Sequence, residues 1–433
     1  MAKRNVFVFG LNDFNLRMLE QVRGAEDIEF HRLLDESELV ERKQYPIEQI
    51  LEHARERLRA FPGSVDGIIH YIDFPVSTMV PILAREFGLP SAPLSAVLRC
   101  EHKYWARVEQ AKVVPEYAPP FAAFDPFDDD ALRRLEDEVG YPFWVKPIKS
   151  FSSYLGFRIG SPADFHEAMT RMRAEISRFA APFDNLLERI DRPPEVADIG
   201  GGHCIAEGII GGRQCTLEGY VHDGAVHVYG VIDSIRHANR SSFGRYQYPS
   251  SLPRRVTDEM KAVATRFMRH VGYDNAPFNM EFFWDRRRDK VWLLEINTRI
   301  SESHCDLFEK VDGTSNQEVA VDLALGREPR FRHDAGEFRV AGKFFLRTYG
   351  DARVTRVPSA EEVRRVERAI PGTKIQILAR EDADLSDMMD QDSYTFCLAQ
   401  VFIGGDSQRD ILAKYRRASE MLSFGLDTVR EAA

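Results

Sequence analysis

The sequence predicts an α/β fold: an open, mostly parallel N-terminal α/β domain, a central mixed region and a C-terminal α+β domain. Three observations carry that reading. Short β-branched and aromatic runs alternate with helically spaced segments over the first hundred residues, as in sheets built from strand–helix–strand crossovers. Three strand-like segments separated by Gly-containing pairs follow between residues 203 and 236, which predicts antiparallel hairpins. The 433 residues exceed one ordinary core, since a domain takes roughly 100–200 residues.

Taken in order, Asn5 to Gly10 reads as a buried strand, with Gly10 a tight βα turn and Asn12-Asp13 a cap for the next helix. Strands follow at 28–33 and 66–72, with helices at 46–61 and 76–87 between and after them. No G-x-G-x-x-G follows the first strand, which argues against a dinucleotide cofactor. Helices are predicted at 104–112 and 130–139, then a strand at 143–147 ending in Lys146-Pro147. A serine-rich loop (149–153), a strand at 156–159 and a helix from 162 through about 179 come next, and 192–202 reads as a loop. Strands at 203–210, 214–222 and 225–234 are divided by Gly211-Gly212 and Asp223-Gly224, both read as hairpin turns. Residues 237–253 read as a long polar loop. A helix at 256–271 leads to strands at 275–284 and 290–297, with Arg286-Arg287-Arg288 as a solvated turn between them. A helix at 316–325 ends at Gly326. The last region has strands near 338–349, 374–378 and 394–402 and helices at 360–370 and 407–422. The expected division is 1–100, 101–330 (in halves of about 101–202 and 203–330) and 331–433.

Composition narrows function. Hydrophobic residues are 44% and charged residues 29%, the balance of a globular chain with a sizeable core. A net charge of −10 argues against a nucleic-acid partner, which would call for a basic surplus. No apolar run approaches the ~18 residues of a membrane span. The five cysteines are odd in number and widely spaced, with no C-x-x-C, which fits a reducing, cytoplasmic setting and argues against a zinc knuckle.

The segments 278–283 and 293–299 carry the chemistry. Each strand sets a carboxylate, Glu281 or Glu295, among apolar neighbours, where a charge is costly unless paired or metal-bound. A tight turn between antiparallel strands can bring the two together. Two carboxylates and the Asn297 amide oxygen are hard ligands suited to Mg²⁺ shared with phosphates. Arg299, just past the strand, can stabilise charge on a transferring phosphoryl group. The plainer alternative is a pair of edge glutamates facing solvent.

Glu295-Ile296-Asn297-Thr298-Arg299, after a strand bearing Glu281, closely resembles the ATP-grasp superfamily, and the segment 278–304 is most similar to biotin carboxylase and amino-acid ligases. The resemblance implies an ATP-grasp fold with a leading pre-ATP-grasp domain, ATP and Mg²⁺ (or Mn²⁺) as cofactors, metal ligation by Glu281, Glu295 and Asn297, and Arg299 at the reacting centre. It implies nucleotide contacts from Lys146 and Lys103, although His102 stands where the family usually has Asp or Asn. The loop residues Ser152 and Ser153 would cradle phosphate, and Glu207 through Ile210 would form the adenine hinge, with Gln214 near ribose. Glu218 reads equally as a salt-bridge partner or a site residue. Arg236, at a strand exit, is read as an anchor for a substrate carboxylate or as a surface residue.

Two departures argue against a biotin carboxylase. The phosphate loop is serine-rich rather than a glycine run, and Ser303 occupies the place of the carboxylase glutamate before His304. The expected activity is an ATP-dependent carboxylate–amine ligase acting through an acyl phosphate on small-molecule substrates, with a homodimer as its assembly. The rival readings are a bicarbonate-using carboxylase or carbamoyl-phosphate-type enzyme, and a non-catalytic ATP-binding regulatory protein.

Overall fold

The computed structural model describes residues 3–39, 45–150, 154–237, 242–388 and 395–428. They form two compact units: Met1–Tyr229, Pro253–Ile300 and Glu318–Pro329 make the first, and Gly230–Leu252, Ser301–Gln317 and Arg330–Ala433 the second.

The first unit opens with β1 (Arg4–Val8), β2 (Ile28–Arg32) and β3 (Gly67–Ile69), a parallel sheet of order β2-β1-β3. Apolar residues dominate β1, with Val6, Phe7 and Val8 buried. The turn after β1 needs glycine: Gly10 has φ +67°, and a Cβ there would meet Ile72 Cδ1 at 2.3 Å. Asn12 then caps the helix Asp13–Leu19 by accepting from the Asn15 amide at 2.9 Å, as its residue type predicts.

Next come β4 (Phe121–Phe124), β5 (Phe143–Pro147), β6 (Phe157–Ile159) and β7 (Cys204–Gly208), an antiparallel sheet of order β4-β7-β5-β6. Its core gathers Phe143, Val145, Ile159, Phe165, Met169 and Met172. The expected helix from 162 to 179 is two helices, Pro162–Glu175 and Ser177–Leu187, that meet at Ile176. The 192–202 segment holds one short helix, Pro194–Ala197.

The unit continues with β8 (Arg213–His222) and the start of β9 (Ala225–Arg236). Past β10 (Phe243–Tyr248), which belongs to the second unit, it is completed by β11 (Ala276–Asp285) and β12 (Lys290–Asn297), in the order β12-β11-β8 with β9 beyond β8. Asp223 and Gly224, at φ 48° and 74°, turn β8 into β9 as expected. Gly211-Gly212 is not a hairpin turn, because β7 and β8 lie in different sheets. A glycine pair marks a tight reversal equally well whether the strands pair or part. The helix Arg254–Val271 buries Val256, Met260, Val263, Phe267 and Met268 behind this sheet. The Arg286–Arg288 tip is exposed, as its charge predicts.

In the second unit the end of β9 is followed in the sheet by β10, β13 (Val340–Thr348), β16 (Phe396–Gly405) and β15 (Thr373–Ile377). The segment 237–253 is therefore not one long loop: β10 lies inside it, in register with β9 and β13. Its Phe-Gly-Arg-Tyr-Gln-Tyr sequence alternates too weakly to be read as a strand without its neighbours. Helices Ala360–Ala369 and Gln408–Met421 cover the sheet with Val366, Ile411 and Ala418, and β14 (Ala352–Arg356) pairs with β17 (Gly425–Thr428). All five cysteines are free and buried. Among the described residues no helix is long and apolar enough to cross a membrane.

Phe267 is fully buried against the β8–β11–β12 layer. Phe267→Ala is expected to lower unfolding free energy by about 3–5 kcal/mol, read from the urea midpoint of the first unit's transition.

Candidate active site

The register of β11 and β12 decides how the two glutamates meet. Glu281 pairs directly with Glu295, and Asn279 with Asn297. On the other side of β11, Glu281 pairs with Thr216 and Asn279 with Glu218. Because side chains alternate along a strand, Thr216, Glu281 and Glu295 form one polar row and Glu218, Asn279 and Asn297 the next, on the same face. The residues between them, Leu217, Met280 and Ile296, point to the other face and are buried. The polar face is thus set by strand period alone.

Short contacts fix these groups. Asn297 Nδ2 donates to Asn279 Oδ1 at 2.9 Å, and Asn279 Nδ2 donates to the Arg299 carbonyl at 3.0 Å. Gln214 Nε2 donates to Glu281 Oε2 at 2.8 Å. Glu218 is fully buried and accepts from the Tyr229 hydroxyl at 2.8 Å.

Lys103 reaches Glu295 at 3.0 Å and also donates to the Ser150 carbonyl at 2.7 Å. Burial pushes the Glu295 carboxyl up, but Lys103 and Lys146 outweigh it and hold Glu295 below the usual range. Burial lowers Lys103 against the pull of Glu295. The helix that carries Lys103 begins at His102, whose Nδ1 accepts from the Trp105 amide at 3.1 Å while Nε2 donates to the Ile199 carbonyl at 2.9 Å. One neutral tautomer satisfies both bonds, so the histidine does the capping work expected of Asp or Asn. Burial takes its pKa down to about 4.

Lys146, the penultimate residue of β5, pairs with Glu207 of β7 at 2.6 Å. Glu207 is buried and is also bound by Arg107 Nε at 2.6 Å. Burial opposes its ionisation, yet these two cations bring its pKa to about 2. Beyond Glu207 the chain leaves the sheet, with Ile209 45% exposed and Ile210 half-buried. Ser152 and Ser153 lie outside the described residues.

Arg299 is anchored by Asp73, Nη2 to Oδ2 at 2.9 Å. Burial lowers its pKa, but Asp73 and neighbouring carboxylates raise it further. Asp73 also takes a bond from Lys149 at 3.2 Å, and Lys149 binds Glu101. Arg236 belongs to the second unit, its guanidinium 4.1 Å over the Phe243 ring centroid. There too, His304 is buried and meets Tyr246 edge to face, and Ser303 Oγ accepts from Lys343 at 2.8 Å.

The first unit therefore brings Lys103, Lys146, Glu207, Gln214, Glu281, Glu295, Asn297 and Arg299 into one connected set of contacts. Sequence reasoning missed Arg107, Asp73, Glu101 and Lys149. Arg107 stands four residues after Lys103 on the same helix face, a usable signal. Asp73 follows shortly after β3, where ligands of parallel sheets gather. Lys149 and Glu101 carried no such mark.

Residues 139–305 match the family model described as an ATP-grasp domain. Among curated relatives, biotin carboxylase 1 of Bacillus subtilis (strain 168) is 25% identical over 190 residues, 41% of this chain and 38% of that protein. D-alanine–D-alanine ligase A of Brucella suis biovar 1 (strain 1330) is 26% identical over 205 residues, 45% of this chain and 54% of that protein. These alignments thus span well under two thirds of the relatives' length. The crystal structure of an L-amino acid ligase from Bacillus licheniformis superposes with a TM-score of 0.73 at 17% identity, covering 99% of this chain and 100% of that one. A biotin carboxylase–βγ-ATP complex from Campylobacter jejuni gives 0.65 at 14% identity, covering 98% and 92%. Both share the fold with this chain.

His102 is buried and His70 half-buried, and desolvation takes both pKa values down to about 4. Their unfolded values lie near 6.5. The unfolded chain therefore binds more protons below pH 6.5, so stability falls as pH drops from about 6.5 to about 4, by about 3 kcal/mol for each histidine. His102→Asn keeps the cap and removes one titration, and urea midpoints across that range are expected to fall less steeply.

Proposed function

We propose that this chain, which carries an ATP-grasp domain, is an ATP-dependent carboxylate–amine ligase that releases ADP and phosphate through an acyl phosphate. The observation that carries the reading is the direct pairing of Glu281 with Glu295, with Asn297 in the adjoining row and Lys103, Lys146 and Arg299 in the same set of contacts.

The donor set fits magnesium. Two carboxylates and an amide oxygen on one sheet face are hard ligands that leave room for phosphate oxygens. Glu281, Glu295 and Asn297 would hold Mg²⁺, whose charge would offset that of a triphosphate. Two proteins of the same fold bind such ligands, the biotin carboxylase domain of Hydrogenobacter thermophilus 2-oxoglutarate carboxylase with MgADP and a carboxyaminoimidazole ribonucleotide synthase with ATP.

The chain's own residues supply position and charge. Lys103 and Lys146 are assigned to the phosphates, and Ser152 and Ser153 are retained as candidates from the sequence alone. Glu207 and Ile210 are assigned to the adenine hinge and Gln214 to the ribose side. In this reading Glu207 acts mainly by setting Lys146, since Arg107 and Lys146 take its carboxylate oxygens. Arg299 steadies the transferring phosphoryl group as an acid substrate takes it up; the amine then attacks the acyl carbon and expels phosphate. Arg236 is the candidate anchor for a substrate carboxylate, on its charge and strand-end position.

The bicarbonate reading is disfavoured by Ser303, which lacks a basic carboxylate in the carboxylase place and instead accepts from Lys343. The test is acyl-phosphate trapping. Full-length chain with Mg-ATP, pooled amino acids and hydroxylamine is expected to give hydroxamate, and Glu295→Ala to give about 100-fold less. Equal hydroxamate from Glu295→Ala, or phosphate release driven by bicarbonate alone, would sink the proposal.

A further inference from the structure

Asp73 stands on the leading parallel-sheet region, more than two hundred residues from the arginine it binds. Its two oxygens do different things. Oδ2 accepts from Arg299 Nη2 at 2.9 Å, and Oδ1 accepts from Lys149 Nζ at 3.2 Å and from the Phe74 amide at 2.7 Å. The Phe74 bond fixes the carboxylate plane, so the directions toward the two cations are not independent.

Lys149 is the first residue of the serine-rich loop. It is 3% exposed, binds Glu101 and lies 5.4 Å from the Phe74 ring centroid. Glu101 in turn accepts from Thr298 Oγ1 at 2.7 Å, the residue beside Arg299. Lys149 at the root of the loop is thereby tied twice to the 298–299 pair, through Asp73 to the Arg299 guanidinium and through Glu101 to the Thr298 hydroxyl. Arg299 itself is held at one end. Among the described residues its Nη1 has only a long bond of 3.3 Å to the Ile300 carbonyl, and its Nε is buried with no hydrogen-bond partner. A buried guanidinium edge without an acceptor is costly unless an anion supplies one.

We propose that Asp73 is a positioning residue for the phosphoryl-transfer centre, holding Arg299 by one end so that its unfilled edge meets the transferring group, and holding the root of the serine-rich loop in the same register. The proposal rests on the ligase reading and adds to it a residue from the leading region. A purely structural tie would act on folding and on nucleotide binding alike. A positioning residue acts on the transition state alone.

The experiment compares two probes on the full chain by calorimetry: MgADP, and MgADP with fluoroaluminate as a mimic of the transferring phosphoryl group. Wild type is expected to bind the fluoroaluminate complex far more tightly than MgADP. Asp73→Asn should bind MgADP within about threefold of wild type and lose at least about tenfold of the fluoroaluminate tightening. Full tightening in Asp73→Asn overturns the proposal. So does parallel loss of both affinities with a lowered melting temperature, since that marks a structural tie. If Asp73→Asn does not fold, Asp73→Glu, which keeps the charge but moves it by one methylene, is read by the same criteria. Failure of wild type to bind MgADP would instead refute the nucleotide reading itself. Binding of MgADP without any tightening in wild type would overturn the positioning role while leaving nucleotide binding intact.

Discussion

Arg107 is the constraint on which the first unit's site depends. Its guanidinium is almost wholly buried, and it binds Glu207 through Nε at 2.6 Å, the Leu293 carbonyl through Nη1 at 2.7 Å and the Leu294 carbonyl through Nη2 at 2.9 Å. Glu207 lies on β7 and the two leucines on β12, so one side chain spans both sheets from a helix that precedes both in sequence. A guanidinium suits this because its donors sit in a rigid planar fork. A lysine would offer one point charge and could not reach three acceptors in fixed directions. What Arg107 holds in place is the spacing between Lys146 on one sheet and the Glu281–Glu295 pair on the other.

The same region shows how a chain can bury many charges. Asp73, Glu101, Glu207, Glu281 and Glu295 stand with Lys103, Arg107, Lys146, Lys149 and Arg299, five formal charges of each sign. An isolated buried ion is costly, whereas opposite charges in contact offset one another's burial. Glu207 and Glu295 keep Lys146 and Lys103 partnered.

How much of this was legible follows from how far apart partners lie in the chain. The Glu281–Glu295 pairing was readable because a short charged turn separates two alternating strands, and strand period does the rest. Lys146 was readable because it ends a short apolar strand before a polar loop. The Arg299–Asp73 bond spans 226 residues and Arg107–Glu207 spans 100, and no local pattern encodes such meetings. Strand β10 failed for the same reason: its pairing with β9 and β13 supplies the order that its own residues do not. Gly211-Gly212 was misread because the conformational freedom of glycine marks a turn without saying whether the flanking strands pair.

His102 shows that a departure from a family pattern can preserve its physics. The position before Lys103 needs an acceptor for a helix amide, and Asp or Asn usually supplies an oxygen. Here an imidazole nitrogen does so, and its other nitrogen gains the Ile199 carbonyl, a contact no carboxylate could make because it has no proton to donate. Burial keeps the ring neutral. An Asp at the cap would add a negative charge close to Lys103 and compete with Glu295 for it. A neutral cap leaves Lys103 to Glu295 and the Ser150 carbonyl, and so links β12 to the start of the serine-rich loop.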